Sequence, residues 1–140
     1  MKKHYILISS FILMLAFLQP LRADSTKEVN AQKASDAWLY MVDEGEYSES
    51  WQNASSYFKN AVDENQWEKL LNAVRKPLGQ VLSRKAISRN FTETLPGAPD
   101  GEYVVIQYET SFEKKASAIE TVTPSLEKDG IWRVSGYYIE

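Results

Sequence analysis

Residues 75–94 read Arg75-Lys76-Pro77-Leu78-Gly79-Gln80-Val81-Leu82-Ser83-Arg84-Lys85-Ala86-Ile87-Ser88-Arg89-Asn90-Phe91-Thr92-Glu93-Thr94. Pro77 and Gly79 end the helical pattern that precedes them, because proline cannot continue a helix and glycine accepts the backbone angles of its end. From Gln80 onward the apolar period changes from about 3.6 to 2, and β-branched and aromatic residues alternate between turn signals. The chain changes from helix to sheet at this point.

Upstream, three helices are expected. Ser25 and Glu28 form a capping-box pattern, followed by Ala34, Ala37, Trp38, Met41 and Val42 on one helical face, and Gly45 supplies a stop. Tyr47, Trp51, Ala54, Phe58 and Ala61 continue as a second stripe at spacings of four and three. Asp63 and Gln66 form another capping box, and Trp67, Leu70, Leu71 and Val74 make the face of the third helix.

Downstream, four strands are expected. Gln80 to Thr94 reads as a long strand with room for a bulge, and Leu95 to Gly101 as a loop whose two prolines cannot donate to a ladder. Glu102 to Phe112 and Ala116 to Leu126 follow, and the turn Lys128-Asp129-Gly130 leads into Ile131 to Ile139. Short links imply an antiparallel meander, and helices bunched before strands imply an α+β domain with the helices on one sheet face. Alternation sends Val104, Ile106, Tyr108 and Phe112 inward, with Ala118, Glu120, Val122, Pro124 and Leu126 on the next strand and Trp132, Val134, Gly136 and Tyr138 on the last. Ile131, Tyr137 and Ile139 give the other face of that last strand a competing claim.

The N terminus has the pattern of a cleaved export signal: Lys2 and Lys3, an apolar run from Tyr5 to Leu18, and Leu21-Arg22-Ala23 before Asp24. Fourteen residues of helix span only about 21 Å, short of the roughly 30 Å hydrocarbon core, which argues against a stable membrane anchor. Residues 1–23 are therefore expected to be removed, leaving 24–140 as one domain in the periplasm or outside the cell. No cysteine is present, so neither disulfides nor lipidation of a processed cysteine enters. Losing Lys2, Lys3 and Arg22 leaves 13 basic residues against 19 acidic ones, a net charge of −6. Such a surface argues against nucleic acid or anionic lipid as partner.

The one histidine lies within residues 1–23. The processed chain thus lacks the side chains for Ser-His-Asp or Cys-His nucleophiles and for the usual zinc sites. No cofactor motif and no metal motif is legible. The spacing of Asp43, Glu44 and Glu46 lacks the alternating order of a calcium loop. Asn53-Ala54-Ser55 and Asn90-Phe91-Thr92 match glycosylation acceptors, which would stay bare if the chain is bacterial.

Several segments in order, Ala37-Trp38 through Trp51, Arg75 to Gly79, Leu95 to Tyr103, Glu120-Thr121-Val122-Thr123 and Gly130 to Ile139, resemble a bacterial exported family known as domain of unknown function 4019. The resemblance covers nearly all of 24–140. It implies a cell-envelope or secreted location and a cone-like fold similar to nuclear transport factor 2, of the cystatin-like kind, and it brings no catalytic or binding residue with it.

Glu120 carries the sharpest chemical hypothesis. A carboxylate on an inward row, with Tyr108 and Tyr138 on neighbouring strands, would have its proton affinity raised by burial into the range of a general base, as in an isomerase or dehydratase. The competing reading is an ion pair with Arg75, Arg84 or Arg133. Trp38, Trp51, Tyr108, Glu120, Trp132 and Tyr138 are the candidate lining of a pocket for a flat apolar ligand, and the same aromatics serve equally as plain core. The leading expectation is a non-enzymatic domain that binds a partner protein or a small apolar ligand. The alternatives are the Glu120-dependent enzyme and a self-associating envelope protein, with a homodimer as its simplest form.

Overall fold

The computed structural model describes residues 19–140, with side-chain environments from Ser25 onward. The apolar run Tyr5 to Leu18, and with it the body of the expected export signal, lies outside the described residues. Helix α1 (Gln19–Asp43) is followed by α2 (Tyr47–Gln52), α3 (Ser56–Ala61) and α4 (Glu64–Val74), then a 3-10 turn at Lys76–Leu78. Strands β1 (Val81–Thr92), β2 (Tyr103–Phe112), β3 (Lys115–Leu126) and β4 (Trp132–Ile139) form one antiparallel sheet in the order β1-β2-β3-β4. The sheet is not closed. The α+β architecture and the meander are those expected, and helix gives way to sheet just after Gly79.

Two helical expectations need correction. Helix α1 runs through Ser25 rather than starting there, because Leu21, Arg22 and Ala23 are themselves good helix formers and continue the turn upstream. The second expected helix is two short ones, which makes four α-helices among the described residues. Ser55 breaks it: its hydroxyl accepts from the Phe58 amide at 3.1 Å as an N-cap, and its own amide donates to the Val134 carbonyl at 2.9 Å. A tertiary hydrogen bond to β4 thus overrides a helical stripe that reads as continuous.

The other helix ends behave as expected. Gly45 has φ +76°, and its amide and that of Glu46 donate to the carbonyls of Val42 and Met41, a Schellman closure of α1. Asp63 and Gln66 complete the reciprocal capping box of α4.

The inward rows of β2 and β3 match the alternation. Val104, Ile106, Tyr108, Phe112, Ala118, Glu120 and Val122 are buried. On β4 the alternation breaks. Thr123 faces Gly136 and Pro124 faces Val134, so Ser135 is the extra residue of a β-bulge. Pro124 lies in an interior strand and has no N–H to give the ladder, which is where such a break belongs. Beyond the bulge the faces exchange: Tyr137 points into the molecule and Tyr138 points out, 53% exposed, contrary to the expected inward placement of Tyr138. Ser135 is held by hydroxyl contacts of 2.6 Å to both Ser55 and Ser125.

Trp38, Leu39, Val42, Phe58, Trp67 and Leu71 pack onto Val104, Ile106, Tyr108, Val122 and Val134. Trp38 and Trp67 share Ser50: one indole donates to its carbonyl at 2.7 Å, the other to its hydroxyl at 2.9 Å. Both buried N–H groups are thereby satisfied.

Candidate functional site

Glu120 is fully buried on β3, an interior strand. Its carboxylate accepts three side-chain hydrogen bonds. Arg84 donates through Nε to Oε1 at 2.8 Å, Thr110 donates through its hydroxyl to Oε1 at 2.6 Å, and the Tyr137 phenol donates to Oε2. Tyr137 reaches this oxygen because it faces Val122 across β3 and β4, one diagonal step from Glu120 on the same sheet face.

The charge does not end with that pair. Arg84 turns its other two nitrogens onto Asp43, Nη1 to Oδ2 at 2.7 Å and Nη2 to Oδ1 at 2.9 Å. Asp43 also accepts from Arg75 Nη2 at 3.2 Å, and Arg75 Nη1 donates to the Gly79 carbonyl at 2.6 Å. Arg75 lies over the Phe112 ring, 4.6 Å from its centroid. Arg75, Asp43, Arg84 and Glu120 therefore form a neutral alternating row that begins on the helices and ends in the sheet. Each member depends on another. Asp43, as the last residue of α1, sits at the unfavourable negative end of the helix dipole, and the two guanidiniums compensate it.

Proton affinities follow from these surroundings. Burial and then the Glu120 carboxylate push the Tyr137 phenol well above its ordinary range. Burial and the hydrogen bond to Asp36 push Tyr108 up likewise, its hydroxyl donating to Asp36 Oδ1 at 2.8 Å. Arg84 is held charged: burial works against it, but its bonds to Asp43 and Glu120 win. The phenols are hydrogen-bond donors locked in the neutral form.

Of the expected site residues, Glu120 is where the alternation put it, and its cationic neighbour is Arg84. Arg75 joins one step removed through Asp43. Arg133 does not join; it pairs with Asp129 at 2.9 Å on the surface. Tyr108 shares the buried row but gives its hydroxyl to Asp36. Tyr138 is on the opposite sheet face, and the residue at the carboxylate is Tyr137, from the competing row of β4 and absent from the expected site. The signals that point to it are that row and Pro124, whose missing N–H marks the bulge.

The candidate aromatic lining is divided between the packed interior and the surface: of its members, Trp38 and Trp132 share one groove. Trp38 packs against Phe58, Trp67 and Tyr137 with ring centroids 6.4, 5.9 and 5.2 Å away, and Phe58 against Trp67 at 4.8 Å, so these rings fill the interior. Trp51 lies toward the rim, its indole donating to the Val62 carbonyl at 2.8 Å. Trp132 lines a groove of about 260 Å³ with Trp38, Ala34, Ala37, Met41 and Ile131. A concavity of about 590 Å³ lies at the α1–α2 turn between Glu46, Glu49, Glu68 and Glu113, with Arg75 in its wall. Among the described residues no cluster of acids or histidine is arranged to hold a metal ion, and no helix is long and apolar enough to cross a membrane.

A helical layer over an antiparallel meander, sewn together by a largely buried row of charges, defines an α+β domain with an ion network between its layers. A family model described as "Protein of unknown function (DUF4019)" matches residues 34–137, and the chain belongs to that family. All four charged members of the row and Tyr137 fall inside the matched span, and Tyr138 lies just outside it. No curated protein matches the sequence.

Proposed function

We propose that this chain is a non-enzymatic domain of the bacterial cell envelope that acts by binding a partner protein on its surface. The observation that carries this reading is the enclosure of Glu120. A general base needs a lone pair facing a space that substrate can enter, and here the carboxylate has zero exposure, with Arg84 and Thr110 on Oε1 and Tyr137 on Oε2. The isomerase or dehydratase alternative lacks that opening. A small apolar ligand inside the fold is disfavoured for a parallel reason, since packed aromatic rings fill the space it would need.

Surface binding is supported by the groove between α1 and the β3–β4 turn, where Ile131 is exposed beside half-buried Trp132 and Met41. Export is supported by the basic start, the apolar run and the small-residue junction of residues 1–23. The test is native mass spectrometry of the protein isolated from its own envelope. The expected species is a chain beginning near Asp24 in complex with a second polypeptide. A stoichiometric small molecule retained in place of a polypeptide would overturn the reading.

A further inference from the structure

We propose that the free edge of β4, with the uncovered face of α4 above it, is the site at which a second copy of this chain docks, two β4 strands pairing antiparallel about a two-fold axis at Tyr138. This inference is independent of the partner protein proposed above and uses a different face.

Four observations carry it. First, the Glu140 amide and carbonyl exchange hydrogen bonds of 2.9 Å with Ile119, and the register pairs Tyr138 with Thr121. The antiparallel alternation then turns the main-chain groups of Tyr137 and Ile139 away from β3, toward the open edge. No hydrogen bond from another described residue satisfies them there, whereas the earlier part of this edge is capped by the Ser55 amide on Val134. Second, the expected inner face of α4 is only half used. Trp67 and Leu71 are buried, but Leu70 and Val74 remain 49% and 47% exposed and form with Tyr137, Tyr138 and Ile139 an apolar groove of about 180 Å³.

Third, the edge is self-complementary. A two-fold at Tyr138 sets Tyr137 opposite Ile139 of the second copy and the reverse, so the outward groups at both positions are satisfied together by four main-chain hydrogen bonds. Each added strand then lies beneath the Leu70 and Val74 of the other copy. Fourth, charge selects this edge over the opposite one. Residues 134–139 carry no charge, so two acidic molecules meet there without like charges opposed. Strand β1, the other edge, carries Arg84, Lys85 and Arg89 and two bulges, the features that keep edges apart.

Cysteine crosslinking in this cysteine-free chain tests the register. In a non-hydrogen-bonded pair the two Tyr138 α-carbons would stand about 4.5 Å apart, within disulfide reach. With the protein as it accumulates in a bacterial host, Tyr138→Cys should give a disulfide dimer under mild oxidation, and Leu82→Cys, exposed on β1, should not. Sedimentation should show a wild-type dimer at micromolar concentration that Leu70→Lys with Val74→Lys converts to a monomer of unchanged circular dichroism. A wild-type monomer throughout that range overturns the inference, as does a dimer indifferent to the lysines. Equal crosslinking at residues 82 and 138 also overturns it, and if the lysine variant does not fold, the crosslink alone decides.

Discussion

The phenol of Tyr137 donates its hydrogen bond to Oε2 of Glu120 across the β3–β4 pairing, while its immediate neighbour Tyr138 projects from the opposite face of the sheet. The bulge at Ser135 separates the two roles. Tyr137→Phe keeps the ring against Trp38 and deletes a buried donor, so it is expected to cost about 1–3 kcal/mol. Tyr138→Phe should stay within about 0.5 kcal/mol of wild type in the monomer, as for other exposed substitutions. Urea denaturation of the two variants checks the bulge directly, and equal losses would contradict it.

Glu120→Gln removes the charge at the inner end of the ionic row and leaves Arg84 with Asp43 as its one anionic partner. Breaking a buried pair from one side is expected to cost about 3–5 kcal/mol, measured as a fall in the denaturation midpoint. A variant of near wild-type stability would show a carboxylate that the fold does not need, and would return the general-base reading to the front.

Alkaline pH provides an independent check on the same interior. Tyr108 and Tyr137 have their proton affinities raised on folding, the first by burial and Asp36, the second by burial and Glu120. In the unfolded chain both titrate near the ordinary tyrosine value of about 10. Their contribution is therefore fully present below about pH 10 and is lost as pH rises above it, because the unfolded state releases protons that the folded state retains. Stability from urea titrations should be level up to about pH 9 and decline beyond about pH 10, less steeply in Tyr137→Phe. Tyrosinate absorbance of the two buried phenols should appear only with unfolding, and their smooth titration in the folded protein would refute the burial.

Gly79→Ala and Gly45→Ala separate backbone strain from crowding. Both positions have positive φ, +77° and +76°, but a Cβ at Gly79 would stand 3.0 Å from Glu113 Cβ, whereas Gly45 faces open space. Gly79 also has ψ −159°, a region that residues other than glycine hardly enter. Gly45→Ala should cost about 1 kcal/mol and Gly79→Ala about twice that or more, judged by thermal unfolding. The reverse order would show that Gly79 shifts freely.

The legibility of this chain follows the range of the interactions involved. Capping at Asp63 and the stop at Gly45 are local, and both read directly from the residues concerned. The inward row through Glu120 is also local, since alternation is a property of one strand. The break at Ser55 was masked because Trp51, Ala54 and Phe58 keep helical spacing across it, and the competing bond comes from Val134, far along the chain. The exchange of Tyr138 for Tyr137 depends on a two-strand register, to which Pro124 and the competing apolar row of Ile131, Tyr137 and Ile139 give the clues. That Arg84 rather than Arg133 meets Glu120 depends on how helices and sheet lie together, and no spacing rule encodes it. The pattern expected of an export signal is read from residues 1–23, of which 1–18 lie outside the described residues.

The ionic row joins partners separated by 32, 41 and 36 residues, each link crossing between segments that must already be in place. Contacts between segments so far apart carry the loop-closure cost of non-local pairing, so the row is expected to close late in assembly and to bear mainly on unfolding. Opening the helical layer from the sheet means breaking these largely buried charge pairs together. The row is thus expected to act as a late-closing clasp that lengthens the lifetime of the folded domain rather than hastening its formation.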